Sequence, residues 1–572
     1  MVRTPCAPGL SALVLAPIAV GLCVSCGGGG GGGSTPPPTP PPPPPVSEVT
    51  VTARFIDATS ASGINYRHGY VNPTAGSELE EFGGGVAAGD YDGDGLVDLF
   101  VVRGDIGHNL LYKNLGNNRF QDRAHEAGVA NTKGNENHRH SGPAFADMDG
   151  DGDLDLFVGG IEHDPSFLFR NNGDGTFTDV TRGSGVDTIA SKQTLSAGFG
   201  DYDLDGDLDM FLTHWGTPRE AGASVNTEHL WRNDTTDAGI RFTDVSLTSG
   251  IAVEIIASDP VGSSLGGDYD YTFTPTFARI TEDRYPDLVI AADFKTSRYF
   301  VNNGDGTFTN RTDPDVIVDG NGMGSAVGDY DDDGDLDWFV SSIWSVPDQD
   351  GRQVFELGNR LYNNDGGQFA DATEAAGVHD GGWGWGACFG DFDHDGDLDI
   401  YHTNGWLVPF APSNFHVDRS RFFLALGDGT FSEQSSRAGL VDTEQGHGIV
   451  CADFDNDGDL DIFQAHLNQV NSATLWRNDT PTGNYLKVKL NGMPPNTEAA
   501  GARIRATTGG TVKLREIHIG SNYTSQNPTV QVFGLADASV VDTLEVEWPD
   551  GRRTSLAAVR QGQTVEIDHP DL

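Results

Sequence analysis

The stretch Asp147-Met-Asp-Gly-Asp-Gly-Asp-Leu-Asp155 decides the fold of this chain. Carboxylates occupy its positions 1, 3, 5 and 9, and a glycine occupies position 6. Alternating carboxylates converge on one centre, position 7 offers its backbone carbonyl, and glycine permits the sharp turn. Because acids this close together repel each other strongly without a cation, the stretch predicts an oxygen-ligated Ca²⁺ loop.

The same pattern occurs six times, in loops that we number one, two, three, five, six and seven in chain order. Position 12 lacks the bidentate Glu of an EF-hand; in loop two it is Val158. Six copies therefore predict about six Ca²⁺ sites, which either tie the fold together or bridge to a ligand. The predicted ligands are Asp90, Asp92, Asp94, Leu96 and Asp98 in loop one; Asp147, Asp149, Asp151, Asp153 and Asp155 in loop two; Asp201, Asp203, Asp205, Asp207 and Asp209 in loop three; Asp329, Asp331, Asp333, Asp335 and Asp337 in loop five; Asp391, Asp393, Asp395, Asp397 and Asp399 in loop six; and Asp453, Asp455, Asp457, Asp459 and Asp461 in loop seven.

The residues around each loop predict a four-stranded unit. A Gly/Ala-rich stretch such as 85–89 precedes the loop and suits a tightly packed inner strand. A short apolar run such as 156–158 follows the loop and indicates a buried strand. Two more segments, such as 168–171 and 176–180, flank an Asn-Gly-Asp-Gly turn and predict a hairpin.

A weaker unit lies between loops three and five. Its loop is predicted to start at Asp268 and Asp270 and, after an insertion, to resume at Asp283 and Asp287. Seven units spaced by 54 to 67 residues predict an all-β chain with a seven-bladed β-propeller. Residues 54–59 resemble the last strand of a unit, so we expect them to complete the seventh blade and remove the open edge.

The C-terminal part is a separate β-domain without acidic loops. Alternating segments at 485–490, 511–515, 530–533 and 544–548 predict a small β-sandwich or barrel-like domain over 481–572. Its basic side chains are expected on a solvated sheet face: Lys487, Lys489, Arg503, Arg505, Lys513 and Arg515. Cys388 and Cys451 precede the first Asp of their loops by three and two residues, so they are predicted to point to opposite faces as buried thiols.

These motifs resemble two known families. The acidic loops and their strands are similar to FG-GAP (VCBS-type) repeats, which implies a calcium-loop propeller over 49–480. Pieces such as 484–488, 520–526 and 541–551 resemble the ASPIC/UnbV domain and assign it to 481–572. The order of the two parts is similar to the cartilage acidic protein 1 family and its bacterial relatives, which implies an architecture rather than a ligand.

The N-terminus is predicted to be an export signal and a tether. Residues 1–25 combine Arg3 with a short apolar run, which is typical of a secretory signal. Its end resembles a bacterial lipoprotein signal with Cys26 as the lipidated residue; ordinary signal-peptide cleavage is the alternative. Residues 26–48 are a Gly/Pro-rich linker, which spaces an anchor from a folded domain.

The face opposite the acidic loops offers a candidate ligand-binding funnel. Aromatic and polar side chains around the axis of a propeller suit a glycan or peptide, and the alternative is ordinary packing between blades. A transition metal held by His138, His140 and His447 is a further hypothesis. The candidates are His138, His140, His214, Trp215, Trp344, Trp383, Trp385, Asn404, Trp406, His447 and His466.

Charge and motifs narrow the function. The chain has 84 acidic and 35 basic residues, a net charge of −49, which argues against nucleic acid as a partner. No Ser/His/Asp arrangement or repeated Glu pair stands out, so a protein or glycan ligand at the cell surface is favoured over catalysis. We therefore expect an exported calcium-binding adhesion protein that meets the membrane only through a lipid anchor. A secreted polysaccharide-acting enzyme and an envelope assembly partner are the alternatives.

Overall fold

The structure is a computed structural model that describes residues 51–71, 82–217, 228–256, 269–345, 355, 357–406, 413–467, 473–481 and 483–572. The predicted signal, Cys26, the whole predicted linker and Asp268 lie outside these residues. Strands make up 42% of the chain and helices 6%. The helices are single short turns at Thr59–Ser62, Ala124–Ala127, Ile251–Ile256, Thr373–Ala376 and Ser435–Ala438, with 3₁₀ turns at Val186–Thr188 and Ser413–Val417.

The repeats fold into seven sheets of four antiparallel strands each, and the first sheet gains a fifth, parallel strand from the C-terminal domain. In six of these sheets a regular acidic loop joins the first two strands, as the sequence predicts. The sheets are β2 (Val86–Gly89), β3 (Asp98–Val101), β4 (Leu110–Asn114) and β5 (Phe120–Asp122); β6 (His140–Ala146), β7 (Asp155–Gly160), β8 (Phe167–Asn171) and β9 (Phe177–Asp179); β10 (Ala197–Gly200), β11 (Asp209–Leu212), β12 (Leu230–Asn233) and β13 (Phe242–Asp244); β14 (Thr272–Ala278), β15 (Asp287–Ala292), β16 (Arg298–Asn302) and β17 (Phe308–Asn310); β18 (Ser325–Gly328), β19 (Asp337–Val340), β20 (Arg360–Asp365) and β21 (Gln368–Asp371); β22 (Gly384–Gly390), β23 (Asp399–Asn404), β24 (Arg421–Ala425) and β25 (Phe431–Glu433); and β26 (Gly446–Ala452), β27 (Asp461–His466), β28 (Ala473–Asn478) and β1 (Phe55–Asp57).

The sheets are blades of a closed ring. The first strands of successive blades contact one another, and β26 of the last blade contacts β2 of the first. The last blade is completed by β1, which pairs with β28 in the register Phe55 to Asn478. The prediction for residues 54–59 is confirmed, and the N-terminal strand removes the edge that β28 would otherwise expose. The predicted all-β propeller fold is likewise confirmed.

An asparagine at the end of the third strand joins most blades to their neighbours. In blade one, Asn114 Nδ2 donates to the carbonyl oxygen of Phe454 in loop seven at 2.8 Å, which links the first blade to the last. Blade six has Ala425 at this place. The equivalent bonds run from Asn171 to Tyr91, Asn233 to Met148, Asn302 to Tyr202, Asn364 to Ile280 and Asn478 to Phe392.

The fourth loop lies elsewhere than predicted. Strand β14 ends at Ala278 and pairs with Asp287 at the start of β15, so loop four is 279–287. Its first position is Arg279, and Asp283 and Asp287 are positions 5 and 9. Asp270 precedes β14, at the opposite end of that strand, where its carboxylate lies 2.8 Å from His229 Nε2 in a fully buried pair. The prediction that loop four begins at Asp268 and Asp270 was wrong. The residues predicted to be an insertion within the loop contain the inner strand β14 itself.

The C-terminal domain is a sandwich of two sheets. Its strands are β29 (Tyr485–Asn491), β30 (Arg503–Thr508), β31 (Thr511–Glu516), β33 (Gln531–Gly534), β34 (Val540–Glu547), β35 (Arg553–Arg560) and β36 (Gln563–Asp568). One sheet has the order β33-β29-β36 and the other β31-β30-β34-β35. Val488, Ile504, Val546 and Trp548 pack between them in one core. The short strand β32 (Ser525–Gln526) instead pairs in parallel with β2 of the propeller.

Cys388 and Cys451 form a disulfide between blades six and seven. The prediction of two free thiols was wrong. Their spacing does place them on opposite faces of their own sheets, but neighbouring blades meet through opposite faces. Because the two cysteines point to opposite faces of their own sheets, their sulfur atoms meet across the interface between blades six and seven. No helix within the described residues is long and apolar enough to cross a membrane.

Candidate metal loops and axial cluster

Position 1 of each regular loop is an aspartate that closes its own turn. In loop two, Oδ2 of Asp147 accepts the N–H of Gly152 at position 6, at 2.8 Å. The same bond occurs in the other five regular loops, at 2.8 to 3.2 Å. Burial raises the pKa of these carboxyls, to about 6 in Asp147, about 7 in Asp201 and Asp329 and about 8 in Asp391. Their charge is costly unless a cation offsets it.

Position 9 is an aspartate that serves the fold. In loop two, Oδ2 of Asp155 accepts the N–H of Met148 and Oδ1 accepts the N–H of Asn171. Asp287 of loop four likewise accepts the N–H groups of Thr281 and Asn302. Both oxygens of the position 9 carboxylate are therefore hydrogen-bonded to the backbone in loop two, which has an acid at position 1, and in loop four, which has none.

Position 3 carries the unusual oxygen. In each of the six regular loops, Oδ1 of this aspartate is buried and makes no hydrogen bond to any residue that the structure describes. Buried polar atoms almost always have a partner, because an unpaired one costs about 1–3 kcal/mol. The six carboxylates are Asp92, Asp149, Asp203, Asp331, Asp393 and Asp455.

The carboxylates of one loop converge on a small volume. In loop one, oxygens of Asp90, Asp92 and Asp94 lie within 4.8 Å of one another, and in loop two those of Asp147, Asp149 and Asp155 do the same. Comparable groups occur in loops three, five and six. Several hard oxygens around one point are the donor set that Ca²⁺ prefers. The residues present therefore fit the predicted ion.

Loop four has a guanidinium where the others have an acid. Arg279 is 3% exposed, and its Nη2 donates to Glu547 of the C-terminal domain at 2.8 Å. Its Nε donates to the carbonyl oxygen of Asp283 in the same loop, at 3.0 Å. A covalently attached cation thus lies beside loop four.

The C-terminal domain covers the loop face of the propeller. Lys487 Nζ donates to Asp453 Oδ2 at 2.7 Å, and Lys513 Nζ bridges Asp332 and Asp397 at 2.6 Å each. Arg503 and Arg515 are 6% and 7% exposed. The expectation of a solvated basic face was wrong for these residues, because the face of the sandwich meets the acidic loops. Lys489 is half-buried and has no ion-pair partner within the described residues.

Comparison with known proteins identifies both parts of the chain. The FG-GAP-like repeat model matches residues 90–158, 147–212, 280–340, 345–402 and 413–463, which is just over half of the chain. The ASPIC and UnbV model matches residues 492–572. The chain belongs to the FG-GAP repeat family and carries an ASPIC/UnbV domain.

Whole-chain relatives agree with this assignment. Cartilage acidic protein 1 of Mus musculus is 25% identical over 517 residues, covering 85% of this chain and 74% of the relative. The Homo sapiens protein of the same name is 26% identical over 517 residues, covering 85% and 72%. Among solved structures, rhamnogalacturonan lyase YesW aligns with a TM-score of 0.35 at 13% identity, covering 75% of this chain and 76% of that one.

A finger of the ASPIC/UnbV domain, residues 519–527, enters the axis of the FG-GAP propeller. The carbonyl oxygen of Ile519 accepts the N–H of Phe199 at 2.8 Å, and the amide of Gln526 makes two bonds to the backbone of Phe145. Asn527 Oδ1 accepts the N–H of Cys451 at 2.9 Å. The finger therefore binds first strands of blades two, three and seven in addition to pairing with β2.

Tyr523 at the tip of the finger is fully buried in an aromatic cluster, which we call the axial cluster. Its ring lies 5.1 Å from Trp385 and 5.5 Å from Phe273, and His447 stacks on Trp385 at 4.1 Å. Burial holds the pKa of His447 well below its ordinary value. The buried members are Tyr70, Phe82, Ile161, Leu195, Trp215, Tyr271, Phe273, Met323, Ile343, Trp383, Trp385, Trp406, Phe415 and Tyr523.

The structure brings only some of the predicted funnel residues together. Trp215, Trp383, Trp385 and Trp406 belong to the axial cluster, and Trp383 stacks on Trp406 at 4.9 Å. Asn404 lies beside the cluster, since Asn404 and the N–H of Trp383 both donate to Asp418 Oδ2. Three others have different partners: Trp344 contacts His379, His466 pairs with Asp442, and His214 lies between the carbonyl oxygens of Gln193 and Glu228.

The histidines proposed for a transition metal are divided between two places. His138 and His140 contact each other and Phe167, whereas His447 contacts Trp385 and Tyr523. Sequence reasoning had paired them only because all three precede or begin inner strands. It also missed Tyr523, although the segment 520–526 was noted as a family motif.

Proposed function

We propose that this protein is an exported calcium-binding propeller that acts as a binding protein outside the cell. The single observation that carries the calcium assignment is the unpaired Oδ1 of position 3, which recurs in all six regular loops. Loop four has Thr281 at that position, and its hydroxyl donates to Asp287. The unpaired oxygen thus accompanies the acid at position 1, as expected if both bind one ion.

We assign the ion to the carboxylates of positions 1, 3 and 5 in each regular loop, and in loops two and three the carboxylate of position 9 also lies close enough to join them. When bound, Ca²⁺ supplies positive charge that offsets the mutual repulsion of these groups. Position 9 keeps its hydrogen bonds to the backbone and holds the turn in place. Within the described residues this gives six sites, and loop four is excluded because Arg279 stands at its first position.

A calcium titration of matched variants tests the assignment. Asp205→Asn in loop three and Asp283→Asn in loop four change the same position and retain an acceptor for the N–H two residues later. Calorimetry on the metal-stripped protein should count six ions in the wild type and in Asp283→Asn. Asp205→Asn should lose one. Equal counts in both variants, or no calcium uptake at all, would reject the assignment.

Export is supported by the disulfide between Cys388 and Cys451, since such bonds persist in oxidising compartments outside the cytosol. The relationship to cartilage acidic protein 1 supports an extracellular site of action. Lipid anchoring at Cys26 is part of the proposal. Mass spectrometry of the N-terminal peptide from the expressing cell should find an acylated Cys26, and an unmodified peptide would remove the anchor.

The last part of the proposed function is that the protein binds a protein or glycan ligand at the cell surface. It is supported by the FG-GAP family membership and by the relationship to cartilage acidic protein 1. Binding to a glycan or protein array without turnover is the expected result. Product release from a polysaccharide panel would favour the alternative, an enzyme on a propeller scaffold.

A further inference from the structure

We propose that the ASPIC/UnbV domain supplies the outer hydrogen-bond shell of metal loops two and six, so that cation binding in these loops and docking of that domain strengthen each other. This inference rests on the proposed calcium function and adds a regulation to it. It makes Thr497 and Gly534 positioning residues for metal sites on another domain.

Loop two receives contacts from residues 497 and 498. The hydroxyl of Thr497 donates to Asp147 Oδ2, and Glu498 Oε2 accepts the N–H of Asp147 at 3.2 Å. Asp147 is 1% exposed and sits at position 1. The C-terminal domain therefore holds both the side chain and the backbone of the first predicted ligand.

Loop six receives the equivalent contact from strand β33. The backbone N–H of Gly534 donates to Asp391 Oδ2 at 2.8 Å, and Asp391 is also 1% exposed. A Cβ atom on residue 534 would collide with that same oxygen. The glycine is thus needed for this close approach, and its left-handed conformation plays no part, since its φ is not positive.

The oxygen that the C-terminal domain bonds is Oδ2 in both loops. Oδ2 of Asp147 and of Asp391 also accepts the N–H of the position 6 glycine, at 2.8 and 3.0 Å. Oδ1 of Asp391 is buried without a hydrogen bond. Oδ1 of Asp147 instead accepts the N–H groups of Gly150 and Asp151 in its own loop. In both loops the C-terminal domain therefore holds the carboxylate by Oδ2 and makes no bond to Oδ1.

Loops one and three lack such a contact. Within the described residues, Oδ2 of Asp90 and of Asp201 accepts a hydrogen bond only from the glycine of its own loop. Loop seven is contacted through Lys487, whose positive charge opposes a cation while its hydrogen bond orients Asp453. Lys513 also contacts Asp397 of loop six, and Lys113 pairs with Asp94 of loop one. The contrast that isolates orientation from added charge is therefore between loop two and loop three.

Loop four shows that the covering surface is matched to each loop. Where loops two and six present an acid, the domain offers donors. Where loop four presents Arg279, the domain offers the acceptors Glu516 and Glu547. Partners that orient a ligating group from outside typically change metal affinity by about 10–100-fold. Linkage then requires that the metal strengthen docking by the same factor.

Hydrogen exchange followed during a calcium titration of the full chain tests the proposal loop by loop. Thr497→Val removes one hydroxyl and keeps the side-chain shape, and Gly534→Ala pushes against Asp391. We expect the calcium midpoint of loop two alone to rise about tenfold in Thr497→Val, and that of loop six alone in Gly534→Ala. Calcium should also increase protection of residues 492–501, and Thr497→Val should weaken that increase.

Thr564→Val is the matched control, because Thr564 is exposed on β36 and its hydroxyl makes no hydrogen bond within the described part of the chain. It should leave every midpoint unchanged. Unchanged midpoints of loops two and six in the test variants, or an equal shift in all loops, would overturn the proposal. If no loop responded to calcium even in the wild type, the proposed function itself would fail instead.

Discussion

Loops two and four share one frame and differ in the source of their positive charge. In both, the first strand ends one residue before position 1, and the aspartate at position 9 pairs with that last residue and binds two backbone N–H groups. Loop two then places Asp147 at position 1, whereas loop four places Arg279. The same turn therefore forms whether position 1 is an acid or an arginine. In loop four the positive charge comes from a side chain and not from a metal ion.

This difference assigns roles within the repeat. Positions shared by both loops, such as Asp155 and Asp287, build the turn. Positions 1 and 3 change together, and it is to these positions, with position 5, that we assign the ion in the regular loops. In loop four the guanidinium of Arg279 is covalently attached and pairs with Glu547, so the fourth blade is held to the C-terminal domain whether or not calcium is present.

Removing calcium with a chelator should give the largest difference in stability between the regular loops and loop four. Removing calcium deletes the binding free energy, about 2.7 kcal/mol per site at a hundredfold excess over Kd, and exposes the carboxylates to mutual repulsion. We expect the melting temperature to fall by many degrees in chelator, with loops two and three losing hydrogen-exchange protection before loop four. An identical melting curve with and without chelator would contradict the metal assignment.

Substitution of Arg279 should have the next largest effect, and that effect should be independent of calcium. Arg279→Met removes a buried partner of Glu547 and should cost about 3 kcal/mol, the lower end for breaking a buried ion pair, because Arg553 still contacts Glu547. Urea unfolding in calcium and after metal removal should give the same loss. A loss seen only with calcium would mean that loop four takes part in metal binding.

The metal-stripped protein should become less stable as the pH rises. Burial raises the pKa of Asp98 and Asp391 to about 8 and that of Asp337 to about 9. Raised carboxyl pKa values favour folding below the unfolded value near 4, and this stability is lost as the pH rises through 8. Melting after removal of metal and chelator should therefore be lower at pH 8 than at pH 5. A higher melting temperature at pH 8 would show that these groups are not buried as described.

The regular loops and the closure by residues 54–59 follow directly from the sequence, because aspartate spacing and strand alternation are local signals. The start of loop four was predicted wrongly because Arg279 does not fit the aspartate spacing, whereas Asp268 and Asp270 do. The Cys388–Cys451 bond was missed because within-sheet alternation says nothing about which faces of two blades meet. The ion ligands assigned to the loops and the ligand-binding role of the funnel residues stay predictions.

Contacts between the domains could not be predicted, since they depend on how two folded surfaces meet. Lys487, Thr497 and Arg515 lie on strands or turns whose pattern only predicts which face they share. Their partners in the acidic loops are up to several hundred residues away in sequence. Tyr523 is similar: nothing in its local sequence indicates that it would be fully buried against Trp385 and Phe273.

Alanine substitution of the asparagines between blades should have the smallest effect on the free energy of unfolding, and it compares loops two and four through a single hydrogen bond each. Asn233 binds the carbonyl oxygen of Met148 in loop two, and Asn364 binds that of Ile280 in loop four, both at 2.9 Å. Each alanine variant leaves buried backbone oxygens without a donor and should cost about 1–3 kcal/mol after metal removal. Each asparagine also donates to the regular loop of its own blade, at Leu208 in loop three and at Leu336 in loop five. With calcium present, both variants should therefore weaken the ion site of their own blade, and only Asn233→Ala should also weaken that of the neighbouring blade, loop two. Calcium midpoints from hydrogen exchange measure this difference, and equal calcium effects in both variants would mean that the frame and the ion act independently. Blade six already has Ala425 at this place, so one missing bond is compatible with a closed ring.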